Sequence, residues 1–198
     1  MENIICERMK ESIAVKQALL ENETLLKHVS EIAKKIVTCL GDGGKLVICG
    51  NGGSASDALH FACEIVGRFQ LERRPWPAIA LNADVATMTA IANDYGYDDV
   101  FLRQTEGHLT EKDIFVGIST SGNSENVYRA VNKAREIGAV TVALLGKDGG
   151  KIGENVDYPV IVPCDTTARV QESHIMLIHI ICELAEKSLK ETEEKNEQ

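Results

Sequence analysis

The sequence predicts an α/β domain, a five-stranded parallel sheet doubly wound by helices, and three observations carry that expectation. Short apolar runs recur at residues 45–49, 77–81, 114–119, 140–145 and 158–162. None alternates between apolar and polar, so each suits a parallel strand covered on both faces. Stretches with helical spacing lie between the runs, and glycine- or serine-rich turns join run to helix.

Taken in order, residues 1–40 supply two helices broken near residues 21–24, with Ile32, Ile36, Val37 and Leu40 returning at helical spacing. Gly41-Asp42-Gly43-Gly44 stops the second helix. These helices belong to the same domain as residues 41–190, which hold the sheet. Helical stretches follow at about 54–67, 85–93, 124–137 and 167–189. On the first of them Ala55, Ala58, Leu59, Ala62, Ile65, Val66 and Phe69 form the expected core stripe. The last helix carries IMLIHIIC over residues 175–182, apolar on every side except at His179, which implies burial all round. One domain of 198 residues cannot easily cover both this helix and the amino-terminal pair, so subunit packing is expected. Residues 191–198 read as a polar tail that frays.

Composition narrows the function classes. A formal net charge of -9 gives no electrostatic footprint for nucleic acid, and an anionic membrane would repel the chain. No apolar run approaches a membrane span, and the amino terminus is amphipathic and acidic, unlike a secretory leader. A cytoplasmic protein is expected. Six cysteines without a C-x-x-C pair suggest reduced, mostly buried thiols. An anionic substrate would then need a local site of backbone N–H groups, hydroxyls or a metal.

Two loops offer such a site. The first strand runs into Gly50-Asn51-Gly52-Gly53-Ser54, and the third into Ser119-Thr120-Ser121-Gly122-Asn123-Ser124, each leading to a helix. Glycines admit a ligand close to the backbone, and free N–H groups with hydroxyls at a helix start bind an anion without basic side chains. Either loop alone could equally be a strand-to-helix turn with an ordinary cap. The first lacks the third glycine of a dinucleotide fingerprint and the second lacks the G-K-[ST] of a P-loop, so nucleotide binding is disfavoured.

Three polar side chains interrupt the apolar helices. His60 and Glu64 lie one turn apart on one face, which suits either a surface pair or a shared ligand. His179 is either a core histidine satisfied by a carbonyl or a functional imidazole. Gln171, eight residues earlier, stands about 12 Å away along the same helix. One metal could touch both only from between two extended side chains, or if they came from different subunits.

These residues and their neighbours resemble a known family. Gly50-Asn51-Gly52-Gly53-Ser54 with Asp57, His60-Phe61-Ala62, Glu64 and Gly67-Arg68 are similar to the first motif of the sedoheptulose-7-phosphate (phosphoheptose) isomerases of the sugar isomerase (SIS) domain superfamily. The resemblance continues through residues 77–81, Asn93-Asp94-Tyr95-Gly96, residues 117–124, Gly146-Lys147-Asp148-Gly149-Gly150 and residues 169–174, and so covers nearly the whole chain. Ala55-Ser56 and Glu172-Ser173 vary in detail from the family's usual forms.

What the resemblance implies is a homotetramer with active sites between subunits, converting D-sedoheptulose 7-phosphate to D-glycero-D-manno-heptose 7-phosphate for heptose precursors of lipopolysaccharide and related products. It implies phosphate binding by Ser119, Thr120, Ser121 and Ser124, and sugar contacts at Asn51, Gly52, Gly53, Glu64, Asn93, Asp94 and Gln171. It makes Glu64 the base at carbon and His179 its acid partner, with one zinc per subunit held by His60, Glu64, Gln171 and His179. A Glu64 that ligates zinc loses basicity and must loosen to act as a base. The alternative is a tetrameric relative of the same fold that binds a replication initiator and has no catalytic role. That adaptor lacks the carboxylate and final histidine, both present here.

Overall fold

The computed structural model describes the backbone of residues 1–196 and side chains through residue 191. Two helices open it, α1 (Glu2–Leu20) and α2 (Glu23–Gly41). The break falls at Asn22, whose side chain accepts the Leu25 N–H at 3.0 Å and caps α2. Leu25, Val29, Ile32, Ile36 and Leu40 give α2 a buried stripe, whereas α1 buries only Leu19.

The alternating part follows as β1 (Leu46–Gly50), α3 (Gly53–Val66), β2 (Ala78–Ala80) and α4 (Val85–Asp94). A 3-10 turn at Tyr97–Asp99 leads into α5 (Val100–His108), then β3 (Ile114–Ser119) and α6 (Glu125–Ile137). The chain ends with β4 (Val140–Gly146), α7 (Gly150–Gly153), β5 (Tyr158–Val162) and α8 (Thr167–Asn196). Every expected strand forms, and β3 and β5 keep their expected limits.

Two short helices, α5 and α7, were not expected from the sequence. In α5 the buried side chains are Val100, Phe101, Gln104 and Thr105, so half the inward face is polar and no apolar period shows. At the other end, α8 runs to Asn196 instead of fraying after residue 189, because Glu and Lys are good helix formers whatever their polarity. Residues 197 and 198 of the expected tail lie outside the described residues.

The strands are all parallel in the order β2-β1-β3-β4-β5. Chain direction across the sheet therefore reverses between β1 and β3, the point where open α/β sheets receive ligands. Successive residues of a strand face opposite sides. Leu46, Ile48, Ile114, Val116 and Leu144 pack under α2, α3 and α8, while Val47, Cys49, Phe115, Ala143 and Leu145 pack under α5 and α6.

Three expectations about burial are corrected. On α3 the inward face is Ser54, Ala58, Phe61, Ala62 and Ile65; Leu59 and Val66 point outward at 45% and 43% exposure. The pattern admitted a stripe rotated by about 60°, and packing against β1 and α8 chose the other one. Within the chain, residues 175–182 are not buried all round, since Ile180 is 40% exposed. Only Cys39, Cys49 and Cys182 of the six free cysteines are buried.

The imidazole of His174, fully buried on α8, bonds through Nε2 to the Leu145 carbonyl at 3.0 Å, and its Nδ1 has no partner. Burial pushes its pKa down from 6.5 to about 4, opposed by the Leu145 bond. Between those pH values the unfolded chain binds the extra proton, so this stability is complete above pH 6.5 and is lost as pH falls toward 4. The full effect is about 3 kcal/mol. His174→Gln, which can still donate to Leu145, is expected to flatten the acid limb of thermal midpoint against pH; an unchanged limb by calorimetry would refute the assignment.

Candidate functional site

The first loop turns from β1 into α3 at the sheet reversal. Gly52 caps α3 with φ +57 and no side chain caps the helix. A methyl group on Gly53 would lie 2.2 Å from Gln171 Nε2, so only glycine lets α8 bring that amide to the start of α3. Asn51 is tied rather than free. Its Nδ2 donates to Asn126 Oδ1 at 2.9 Å, while its Oδ1 accepts from Asn126 Nδ2 at 3.0 Å and from the Tyr97 hydroxyl at 2.9 Å. These bonds join the end of β1 to the first turn of α6 and draw in the turn that follows Asn93 and Asp94. Asn93 Nδ2 donates to Asp94 Oδ1 at 2.8 Å, and both residues are exposed.

The second loop gathers its hydroxyls. Ser119 Oγ lies 2.9 Å from Ser124 Oγ and 3.4 Å from Ser121 Oγ, with Thr120 between them in the chain. Ser124 sits at the cap position of α6 without bonding the helix N–H groups, which leaves that helix start open to an anion. The loop is held from behind by residues 146–152. Ile152 N donates to the Gly122 carbonyl at 3.0 Å and Lys151 N to Asn123 Oδ1 at 3.2 Å.

The third part lies between two helices. His60 Nε2 is 2.9 Å from Glu64 Oε1, and His179 Nε2 is 3.4 Å from His60 Nε2, with the rings 5.1 Å apart. One ligand atom from each of His60, Glu64 and His179 falls within 4.8 Å of the others. Bond lengths of about 2.0–2.1 Å in a tetrahedron put zinc ligands about 3.3 Å apart, so two imidazoles and a carboxylate at these separations fit zinc and leave a position open. The Phe69 ring stands 5.6 Å from the His179 ring. Asp57, one turn before His60, has a buried Oδ2 with no hydrogen-bond partner. Burial pushes its carboxyl up to about 6, against the pull of His60.

The structure thus brings His179 to His60 and Glu64, and brings Gln171 to Gly53 at the far end of α3. Within one chain the fourth expected ligand stands two helical turns from the other three, as the spacing implies. Tyr97, Asn126 and Phe69 were missed in the sequence. Tyr97 directly follows the Asn93-Asp94-Tyr95-Gly96 motif and Asn126 follows Ser124, but nothing local signals that either reaches Asn51.

Comparison with known proteins bears on this geometry. Residues 10–146 match the SIS domain family. The chain is similar to the phosphoheptose isomerase of Geotalea daltonii, 50% identical with 92% of this chain and 96% of the relative covered. It is likewise similar to that of Sulfurimonas denitrificans, 47% identical over 96% and 97%. Among solved structures, the phosphoheptose isomerase of Neisseria gonorrhoeae superposes with a TM-score of 0.88 at 41% identity, covering 94% of this chain and 98% of the other. That of Francisella tularensis gives 0.89 at 37%, covering 93% and 97%. The adaptor alternative draws no support from these relatives. Among the described residues no helix is long and apolar enough to cross a membrane.

Proposed function

The chain belongs to the phosphoheptose isomerases of the SIS domain family and is a sugar-phosphate isomerase, and from that premise we propose that it interconverts sedoheptulose 7-phosphate and D-glycero-D-manno-heptose 7-phosphate in the cytoplasm. The observation that supports this most is the convergence of Glu64, His60 and His179 beside two loops suited to a phosphate and a polyol. Incubation with sedoheptulose 7-phosphate and direct detection of an aldoheptose 7-phosphate tests it; no conversion by the folded protein would overturn the substrate assignment.

In this reading Ser119, Thr120, Ser121 and Ser124, with the open start of α6, hold the phosphate. Gly52, Gly53 and Gln171 line the sugar at one end, and Asn93 and Asp94 at the other; Asn51 contributes through its backbone, since its side chain is bonded to Asn126 and Tyr97. Glu64 takes a proton from C1 and returns it at C2, and His179 carries a proton between the two oxygens. Zinc, held by His60, Glu64 and His179 with Gln171 from this or a neighbouring subunit, would polarise the carbonyl.

Two expected results follow from these roles. Ser121→Ala combined with Ser124→Ala removes two donors to a charged group and is expected to weaken sugar-phosphate binding by about 10- to 100-fold with the fold intact. Calorimetric affinity equal to wild type would refute the phosphate loop. His60→Ala is expected to lose a co-purifying divalent metal and most turnover, with partial recovery in excess zinc. Metal-free wild type with full activity, checked by elemental analysis, would remove zinc from the reading and leave Glu64 and His179.

Outward apolar side chains on α1, α3 and α8, among them Ile5, Ile13, Leu59, Val66, Ile180 and Leu184, support a homotetramer with sites between subunits. A stable, active monomer in sedimentation would refute it.

A further inference from the structure

Beyond the reacting residues, a buried ion pair ties the segment that follows α3 to α8. Arg73 and Glu186 have side chains only 2% exposed, with Nε to Oε1 at 2.9 Å. The Glu186 carboxylate also accepts the backbone N–H groups of Phe69, Gln70 and Leu71 at 3.0, 2.7 and 2.8 Å. Burial alone would raise this carboxyl, but those bonds and Arg73 hold it below the usual carboxylate range. On its other side the Arg73 guanidinium donates to the carbonyls of Glu64 and Ile65 at 2.8 and 3.0 Å, and it stacks on Trp76 at 3.7 Å. Two carbonyls of the last turn of α3, those of Glu64 and Ile65, are thereby satisfied.

The placement is what links this pair to the chemistry. Glu186 lies seven residues after His179, two turns along nearly the same face of α8. Arg73 grips the backbone of Glu64 itself. Glu186 grips the N–H of Phe69, whose ring stands against the His179 imidazole. Buried ion pairs often contribute little net stability, since desolvation offsets their attraction, so stability alone is a weak account of this one.

We propose that Arg73 and Glu186 are positioning residues: the pair fixes the register of α3 against α8 and seats Phe69, and so aims the His179 imidazole at Glu64 and His60. The catalytic consequence rests on the proposed roles of Glu64 and His179; the geometric one does not.

Glu186→Gln keeps the shape but offers an amide N–H to a ring of donors, and Arg73→Lys keeps the charge but cannot reach both helices at once. Each is assayed well below its own thermal midpoint, so that only folded protein is compared. The expected result is a fall in kcat of about 10- to 100-fold, the scale of a small misplacement of reacting groups, with KM within about twofold because the phosphate loop is untouched. Independently of turnover, the His179 Cε1–H resonance, assigned with His179→Gln, is expected to move as the Phe69 ring leaves it. Those of His28 and His108 should stay in place. If wild type proves inactive on sedoheptulose 7-phosphate while the resonance still moves, the substrate reading fails and the positioning stands. An unmoved His179 resonance in the folded variants overturns the proposal, as does a moved resonance with kcat unchanged. Should Glu186→Gln not fold, Arg73→Lys carries the same test.

Discussion

Glu64→Gln is expected to lower kcat by about 10³-fold, within the range for loss of a general base, while the thermal midpoint stays near that of wild type. The amide keeps the size of the carboxylate and an oxygen for His60, whose Nε2 lies 2.9 Å from Glu64 Oε1, so packing between α3 and α8 is retained. In the proposed mechanism, what is lost is the group that accepts a proton from carbon. Excess zinc should therefore fail to restore the rate, in contrast to His60→Ala, where the missing group is a ligand. Retention of more than about a tenth of wild-type kcat in the purified variant would remove Glu64 from that role.

Gly122→Ala is expected to destabilise the fold by about 3–5 kcal/mol in denaturant titration and to abolish tight sugar-phosphate binding. Gly122 has φ +68, where an L side chain is strained, and its new methyl would lie 2.2 Å from the Gly149 carbonyl oxygen and 2.7 Å from Gly150 N. Both neighbours are backbone, so no rotamer change relieves the clash. The loop that carries Ser121 and Ser124 would have to separate from residues 149–150. Gly52→Ala gives the comparison: nothing lies within 4 Å there, so only the backbone cost of holding alanine at φ +57 and ψ -122, about 1–3 kcal/mol, applies. Equal destabilisation by the two substitutions would show that the loop-on-loop contact is not what Gly122 serves.

Much of the scaffold was legible because its signals are local. A strand buried on both faces must be apolar throughout, and β3, buried at every residue, was bounded correctly on that ground alone. The loops after β1 and β3 were legible because a tight turn from a strand into a helix start demands glycine and short polar residues in short order. α5 was not, since its inward face mixes Val100 and Phe101 with Gln104 and Thr105. The stripe on α3 was read with the wrong rotation, because Leu59 and Val66 are as apolar as the residues that β1 and α8 in fact cover.

The sequence by itself determined the sheet, the positions of both glycine- and serine-rich loops and the one-turn spacing of His60 and Glu64, all consequences of patterns that operate over a few residues. Tertiary structure decided which distant groups meet them. His179 lies 3.4 Å from an imidazole 119 positions earlier, Gln171 packs on Gly53, and Tyr97 and Asn126 converge on Asn51. Such meetings depend on the register of one helix against another and on how far two loops approach. No local spacing encodes these quantities; they are set by packing across the sheet and between α3 and α8.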